Sequence, residues 1–310
     1  MDTTADFEKA VDAMSGTDFG TSESDSIKVF ETTVRYLVTR WDLHKAVRGG
    51  AQVADESLLV AEIGSLTLEF TRLFQLSGNP KWYDTVDRIT EIFDKQQRMT
   101  RLSGTWPIFV SVREADLTQN GAFTLGAMED SVYKYLPKMH ALLGRSAIYE
   151  KLYQDSMSAA IHRTFFRPMI PDDADILLAG NIHVDNANQT TLPLNSEDQH
   201  LVCFASGMFA TGSRLPDHPD HLDIARKLTQ RCIWTYRALP SGIMLEVFNL
   251  VPGASSDVMR AHLPQDDCME SFWTVESLEH FYLVSSQPDF ISLDEYVFNT
   301  EAHPFRRPKS

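Results

Sequence analysis

The sequence predicts an all-α fold built from paired helices. Three features lead there: apolar residues recurring at three- and four-residue steps, glycine and proline where those runs stop and restart, and enough apolar content for one large core. Of 310 residues, 43% are apolar and 10% aromatic, so a single domain spanning 1–310 can bury its own core. Residues 26–47 show the helical period plainly, with Val29, Phe30, Val34, Leu37, Val38, Trp41 and Leu43 on one face. Residues 57–76 repeat it and end at Ser77-Gly78-Asn79-Pro80. There glycine supplies a helix cap and proline opens the next helix at Lys81-Trp82-Tyr83. Further helices are predicted at 125–143 before Gly144, 147–165, 200–211 before Gly212, 221–239 before Pro240, and 269–285. The stretches 106–112 and 243–251 read as extended links, and 171–196 as one long polar loop. Successive helical hairpins of this kind suggest a toroid.

A formal charge of −15 repels phosphate backbones and argues against a nucleic-acid partner. No window is apolar enough for a membrane span. Met1-Asp2-Thr3-Thr4-Ala5-Asp6 lacks the basic and apolar parts of a signal peptide, so the chain as written is expected to carry no export or anchoring device. The three cysteines, Cys203, Cys232 and Cys268, are too few for a disulfide scaffold, and no Cys-x-x-Cys or Cys/His spacing suggests zinc. The sequon Asn188-Gln189-Thr190 lies in the polar loop and carries glycan only in a secretory compartment.

The sharpest signal lies near the C-terminus. Met269-Glu270-Ser271-Phe272-Trp273 opens an apolar run that closes on Phe298-Asn299-Thr300-Glu301-Ala302-His303-Pro304. An unpaired buried carboxylate costs several kcal/mol. Glutamates set among Phe, Trp, Tyr and Leu therefore need a cation, a donor network or a sugar. Glu276 and Glu279 read as a solvated helix face, Glu270 and Glu301 much less so.

This ending resembles that of the class I α-1,2-mannosidases, glycoside hydrolase family 47, over Ile-Ser-Leu-Asp-Glu-Tyr-Val-Phe-Asn-Thr-Glu-Ala-His-Pro at 291–304. The resemblance continues, in family order, at Phe30-Glu31-Thr32-Thr33-Val34-Arg35, at 62–70 (Glu-Ile-Gly-Ser-Leu-Thr-Leu-Glu-Phe), at 125–131 (Leu-Gly-Ala-Met-Glu-Asp-Ser) and at 199–204 (Gln-His-Leu-Val-Cys-Phe). It is similar to the fungal kind. It implies an (α/α)7 barrel with minor β-hairpins, the substrate entering at one mouth and a C-terminal hairpin plugging the other. It further implies calcium-dependent, inverting removal of terminal α-1,2-linked mannose from oligomannose N-glycans by a monomer of the secretory pathway. Cys203 and Cys232 stand where the family places its recurrent disulfide. Free thiols in a reducing compartment remain equally open.

Inversion needs one carboxyl group to protonate the leaving oxygen and another to activate water from the opposite face. Glu31 shares a helix face with Arg35 one turn later, which fits either a plain ion pair or a shifted acid. The resemblance makes Glu31 the acid catalyst and Arg35 a pocket residue. Asp130 heads a helix, where a carboxylate often merely caps; the resemblance makes it the second carboxylate. Met128, where many relatives have arginine, implies broader linkage specificity. Glu69, Glu246, Glu270 and Glu301 match acidic pocket residues. His200 matches a pocket histidine, though a lone histidine at a helix start is often a structural group. Thr300 matches the family's direct ligand to calcium, a cation that takes six to eight hard oxygens.

The resemblance is incomplete. The family's Arg-Pro-Glu-x-x-Glu-Ser motif has no counterpart between Gly242 and Met269, an N-terminal helix pair is missing, and a shorter gap follows Arg48-Gly49-Gly50. A truncated or internally deleted barrel is therefore expected, with weak or absent turnover unless Asp266 or Asp267 replaces the lost carboxylate. A non-catalytic, lectin-like mannose binder is the alternative. A helical scaffold without sugar contact is a third reading, which leaves the retained pocket residues unexplained.

Overall fold

A computed structural model describes residues 56–170, 174–185, 194–215, 218–238, 244–250, 259–261, 287, 290–300 and 303–307. The chain divides into two compact units, Met1–Ala54 and Asp55–Ser310, and every described residue belongs to the second. Its helices are α1 (Val60–Gly64), α2 (Thr67–Ser77), α3 (Pro80–Gln96), α4 (Asp130–Leu142), α5 (Ala147–Arg163), α6 (Phe204–Gly212) and α7 (His221–Ala238). Short strands link them: β1 (Leu58–Leu59), β2 (Phe109–Val110), β3 (Ala122–Phe123), β4 (Phe165–Phe166), β5 (Leu178–Ala179) and β6 (Asn181–His183). The chain continues through β7 (Leu194–Asn195), β8 (Glu197–Gln199), β9 (Val247–Leu250), β10 (Met259–Ala261), β11 (Tyr296–Phe298) and β12 (Pro304–Arg306).

The punctuation works as the sequence predicts. Gly78 takes a left-handed φ of 66° and its N–H returns to the Phe74 carbonyl, closing α2. Asn79 then caps α3 by accepting from the Lys81 N–H at 3.1 Å, with Pro80 in the first turn. Phe70 meets Trp82, and Phe74 meets Tyr83, at 5.6 Å between ring centres, which zips α2 to α3. The pairs α4–α5 and α6–α7 pack in the same way.

Helix α4 is the hub, touching α1, α2, α5, α6 and β11. It can do so because Val132, Tyr133, Tyr135, Leu136, Met139 and Leu142 are all buried, covering most of its circumference. Each such side chain contributes about 1.5–3 kcal/mol of burial. Gly64 lets α1 approach, since a Cβ there would sit 2.6 Å from Val132 Cγ2.

Four expectations need correction. The predicted helix over 57–76 is two helices, because Ser65 turns its hydroxyl back onto the Ala61 carbonyl at 2.5 Å and ends α1. The helix expected from residue 125 begins only at Asp130: the Thr124 hydroxyl and the Gln199 side chain take the N–H groups of Gly126 and Ala127, and Met128 adopts φ 79°. The helix predicted at 200–211 opens with a 3-10 turn, His200–Cys203, before α6. The loop predicted at 171–196 contains β5, β6 and β7, whose pairings with β4, β3 and one another bury Ile176, Leu178, Ile182 and Val184. The extended links at 106–112 and 243–251 do contain strands, β2 and β9. The helix predicted at 26–47 and that at 269–285 lie outside the described residues.

Candidate functional site

Helix α4 places Asp130, Lys134 and Lys138 one above another at four-residue steps. Glu129 holds the N-cap position, so Asp130 is the first helical residue, and its carboxylate faces Lys134 Nζ at 3.4 Å with both side chains about 15% exposed. Lys134 also lies 5.9 Å from the Phe204 ring centre. An ion pair so shielded from water fixes the direction of the carboxylate.

Five residues beyond Asp130, Tyr135 makes the link that assembles the site. Its buried hydroxyl donates to Glu69 Oε1 at 2.8 Å and accepts from the Thr300 N–H at 3.0 Å, joining α2 to the turn after β11. Asn299, also buried, adds a hydrogen bond to Glu69. Glu69 Oε2 nevertheless has no partner among the described residues. Burial pushes this carboxyl above its ordinary value, and the Tyr135 and Asn299 hydrogen bonds and the Lys138 charge only partly oppose that. Thr300 has committed its N–H to Tyr135. Thr300 offers two hard oxygens and is tied through Tyr135 to a carboxylate with an unsatisfied oxygen, residue types suited to calcium or to sugar hydroxyls.

A second unsatisfied carboxyl precedes Asp130. Glu129 is fully buried, with Oε2 accepting from the Tyr133 hydroxyl at 3.1 Å and Oε1 without a partner among the described residues. Burial holds it well above its ordinary value despite the Thr124 N–H and Tyr133 hydrogen bonds, and the neighbouring Asp130 charge adds to the rise.

His200 and Glu246 meet across another strand pair. The His200 N–H donates to the Glu246 carbonyl at 2.8 Å, extending the β8–β9 ladder, while the Glu246 side chain is exposed. His200 Nε2 lies 2.8 Å from Tyr236 Oη, and burial, then Arg231, lowers its proton affinity. The histidine thus has the structural partner that a lone histidine usually has, at the edge of the region where Gln199 reaches the Asp130 loop.

Beneath it lies a fully buried ion pair. Arg231 Nε donates to Asp198 Oδ2 at 2.7 Å, Nη2 meets Asp198 Oδ1 at 2.5 Å and the Gln199 carbonyl at 2.7 Å, and the guanidinium lies 5.7 Å from the Phe248 ring centre. Burial raises the Asp198 carboxyl to about 6, against the pull of Arg231. Arg231 Nη1 also contacts both sulfurs of the Cys203–Cys232 disulfide, whose Cα atoms are 6.0 Å apart. The pairing implied by resemblance is therefore formed.

Of the residues singled out from sequence, the structure joins Glu69 to Thr300, His200 to Glu246, and Cys203 to Cys232. Glu31, Arg35, Glu270 and Glu301 lie outside the described residues, as do Asn188, Asp266, Asp267 and Cys268. Sequence reading missed Tyr135, Asn299 and Gln199. Tyr135 looks like any core aromatic at helical spacing, and Gln199 carries no local pattern at all.

The sequence profile of glycosyl hydrolase family 47 matches residues 38–257 and 252–307. The chain belongs to glycosyl hydrolase family 47. It is 25% identical to the mannosyl-oligosaccharide alpha-1,2-mannosidase IA of Spodoptera frugiperda, a match covering 81% of this chain and 45% of that protein. It is 26% identical to the human endoplasmic reticulum mannosyl-oligosaccharide 1,2-alpha-mannosidase, over 79% of this chain and 43% of the relative. The chain thus spans less than half the length of these relatives. A solved α-1,2-mannosidase from Trichoderma reesei superimposes with a TM-score of 0.68 at 23% identity, covering 82% of this chain and 67% of that one. That likeness gives the chain the helical-hairpin fold class expected of the family, the (α/α)7 barrel.

Proposed function

We propose that this chain is an α-1,2-mannosidase-type glycosidase that takes terminal α-1,2-linked mannose of oligomannose N-glycans, by calcium-dependent inversion and with low turnover. The observation that carries the reading is the Glu69–Tyr135–Thr300 connection, which ties two of the family's pocket positions together and leaves one oxygen of Glu69 without a partner among the described residues. In this reading Glu31 protonates the leaving oxygen and Asp130, steadied by Lys134, orients the attacking water. Glu69, Arg35, His200, Glu246, Glu270 and Glu301 contact the sugar or its waters. Thr300 would hold calcium through its carbonyl and hydroxyl oxygens, and the ion, when bound, supplies a fixed positive charge that orients sugar hydroxyls and water. The relatives' names support the substrate class, and the disulfide supports an oxidising, secretory location. A monomer is the assembly proposed.

Low turnover follows from the missing Arg-Pro-Glu carboxylate, since loss of a positioned acid or base typically removes about 10²–10⁴-fold in rate. The same absence favours the second reading, a lectin-like binder. Turnover and binding of an α-1,2-linked dimannoside, each measured on purified chain with calcium and with chelator, separate the two. Slow calcium-dependent hydrolysis supports the enzyme and tight binding without hydrolysis the lectin. Neither binding nor hydrolysis would sink both. Calcium should also raise the melting temperature by mass action, and Thr300→Ala should abolish the rise.

A further inference from the structure

The entry to α7 gathers a second set of donors, distant in sequence from every pocket residue except His200 and Glu246. His218-Pro219-Asp220-His221 brings two imidazoles and a carboxylate into four residues, and one donor atom from each lies within 4.8 Å of the others. Tight turns produce this convergence: the N–H groups of His221, Leu222 and Asp223 each return to the carbonyl three residues back. The two imidazole rings stack at 4.5 Å with their planes 20° apart. Ring nitrogens point in the plane of the ring, so the stacked imidazoles cannot hydrogen-bond to each other, and the partly buried His218 must turn about its side-chain bonds for both rings to face one ion. Accordingly, His218 Nε2 is buried and has no hydrogen-bond partner among the described residues.

His221 is buried and held from behind. Tyr153 Oη lies 2.9 Å from its Nδ1, and the Phe209 ring meets it edge-on at 5.1 Å. Tyr153 is itself fixed against Gly212, where a Cβ would come within 1.8 Å of the hydroxyl. With Tyr153 accepting from Nδ1–H, the His221 Nε2 lone pair stays free. A second partner that sets the tautomer in this way is a regular companion of metal-binding histidines. Asp220 is exposed and leaves a path for an ion and its water.

We propose that His218, Asp220 and His221 form a site for a divalent transition-metal ion of the zinc class, with water completing a four-coordinate shell. Two neutral imidazoles and one carboxylate match that class. Calcium and magnesium require an all-oxygen shell of six or more ligands and do not fit. The bound ion would fasten the first turn of α7 to α5 and α6 through Tyr153 and Phe209. Cys232, about 16 Å further along the helix at 1.5 Å per residue, fastens the same helix by its disulfide.

The test uses tag-free full-length chain carrying Cys268→Ser, so that no thiol outside the disulfide competes, stripped with chelator and then dialysed. Zinc chloride is titrated calorimetrically, and the d–d absorption of added cobalt reports a four-coordinate nitrogen–oxygen site. One zinc equivalent is expected. His218→Gln and Asp220→Asn should each lower zinc affinity at least about tenfold; both substitutions are tolerant, because His218 is only partly buried and Asn serves as well as Asp at a helix start. Thr300→Ala should leave zinc binding unchanged. No zinc uptake, or uptake indifferent to both substitutions, overturns the proposal. Circular dichroism of each variant confirms that a loss of affinity is not a loss of fold.

Discussion

Two buried polar clusters, one centred on Arg231 of α7 and the other on Tyr135 of α4, answer the same physical problem differently. Around Arg231, every group is paired: the guanidinium meets both Asp198 oxygens, a backbone carbonyl, an aromatic face and two sulfurs. Around Tyr135, the hydrogen bonds stop short, leaving one oxygen of Glu69 without a described partner, and Glu129 at the head of the same helix repeats the pattern. A closed network fixes a fold. An open one costs stability, typically about 1–3 kcal/mol per unsatisfied group, and such a cost is expected where something else is meant to bind.

The comparison breaks most visibly at Arg231. Arg231→Met should cost about 3–5 kcal/mol by leaving Asp198 buried without a countercharge. Urea unfolding at neutral pH measures this, and Asp198→Asn in the same chain should recover much of it. A loss under 1 kcal/mol would mean that the closed cluster is not what fixes α7. Replacing both Cys203 and Cys232 by serine opens a loop with a sequence separation of 29 residues and should cost about 3–4 kcal/mol. That loss should match the effect of reductant on the unchanged protein.

Tyr135→Phe tests the open cluster. It strands the Thr300 N–H and leaves Glu69 Oε1 with one donor fewer, so a loss of about 1–3 kcal/mol is expected, together with loss of the calcium-dependent rise in melting temperature. Stability that falls while the calcium response survives would show that Thr300 is placed by other contacts.

Glu129→Gln has the smallest effect and the opposite sign. Burial raises the Glu129 proton affinity, so its contribution to stability is fully present below the ordinary carboxylate range and is lost as pH rises through the folded value. Glutamine removes that loss. The variant should therefore be more stable than the unchanged chain at pH 8, by about 1 kcal/mol or more, with the gain shrinking at pH 4. An equal gain at both pH values would show that ionisation is not involved.

Much of the framework was legible in the sequence, and for physical reasons. Gly78 and Pro80 act locally, so their positions predict the α2–α3 turn without reference to the rest of the chain. Strands β5 and β6 were missed because the alternation of Ile176, Leu178, Ile182 and Val184 is brief and broken by polar residues. The start of α4 was misplaced because Gln199, seventy-two residues away, competes for the Ala127 N–H. Family motifs single out Asp130 and Thr300 as candidates, whereas the tyrosine that joins Thr300 to Glu69 carries no such mark, since burial and hydrogen bonding look alike in a helical repeat. The His218–His221 cluster contains no cysteine, so it escapes the Cys-x-x-Cys and Cys/His spacings that mark zinc in a sequence.

The hydrogen bond from the Thr300 N–H to Tyr135 spans 165 residues, and Arg307 reaches back to the Ala141 carbonyl at the end of α4 across 166. Chains grow from the N-terminus and their early segments fold first, so α2 and α4 can pack while the β11–β12 hairpin is still being made. The link from Glu69 to Thr300 must therefore close last, and proteolysis that removes the hairpin would open it while the helices stay in place. Ligand binding at this point reports that the β11–β12 hairpin has been made and has docked on α4, making the site a seal that the hairpin sets.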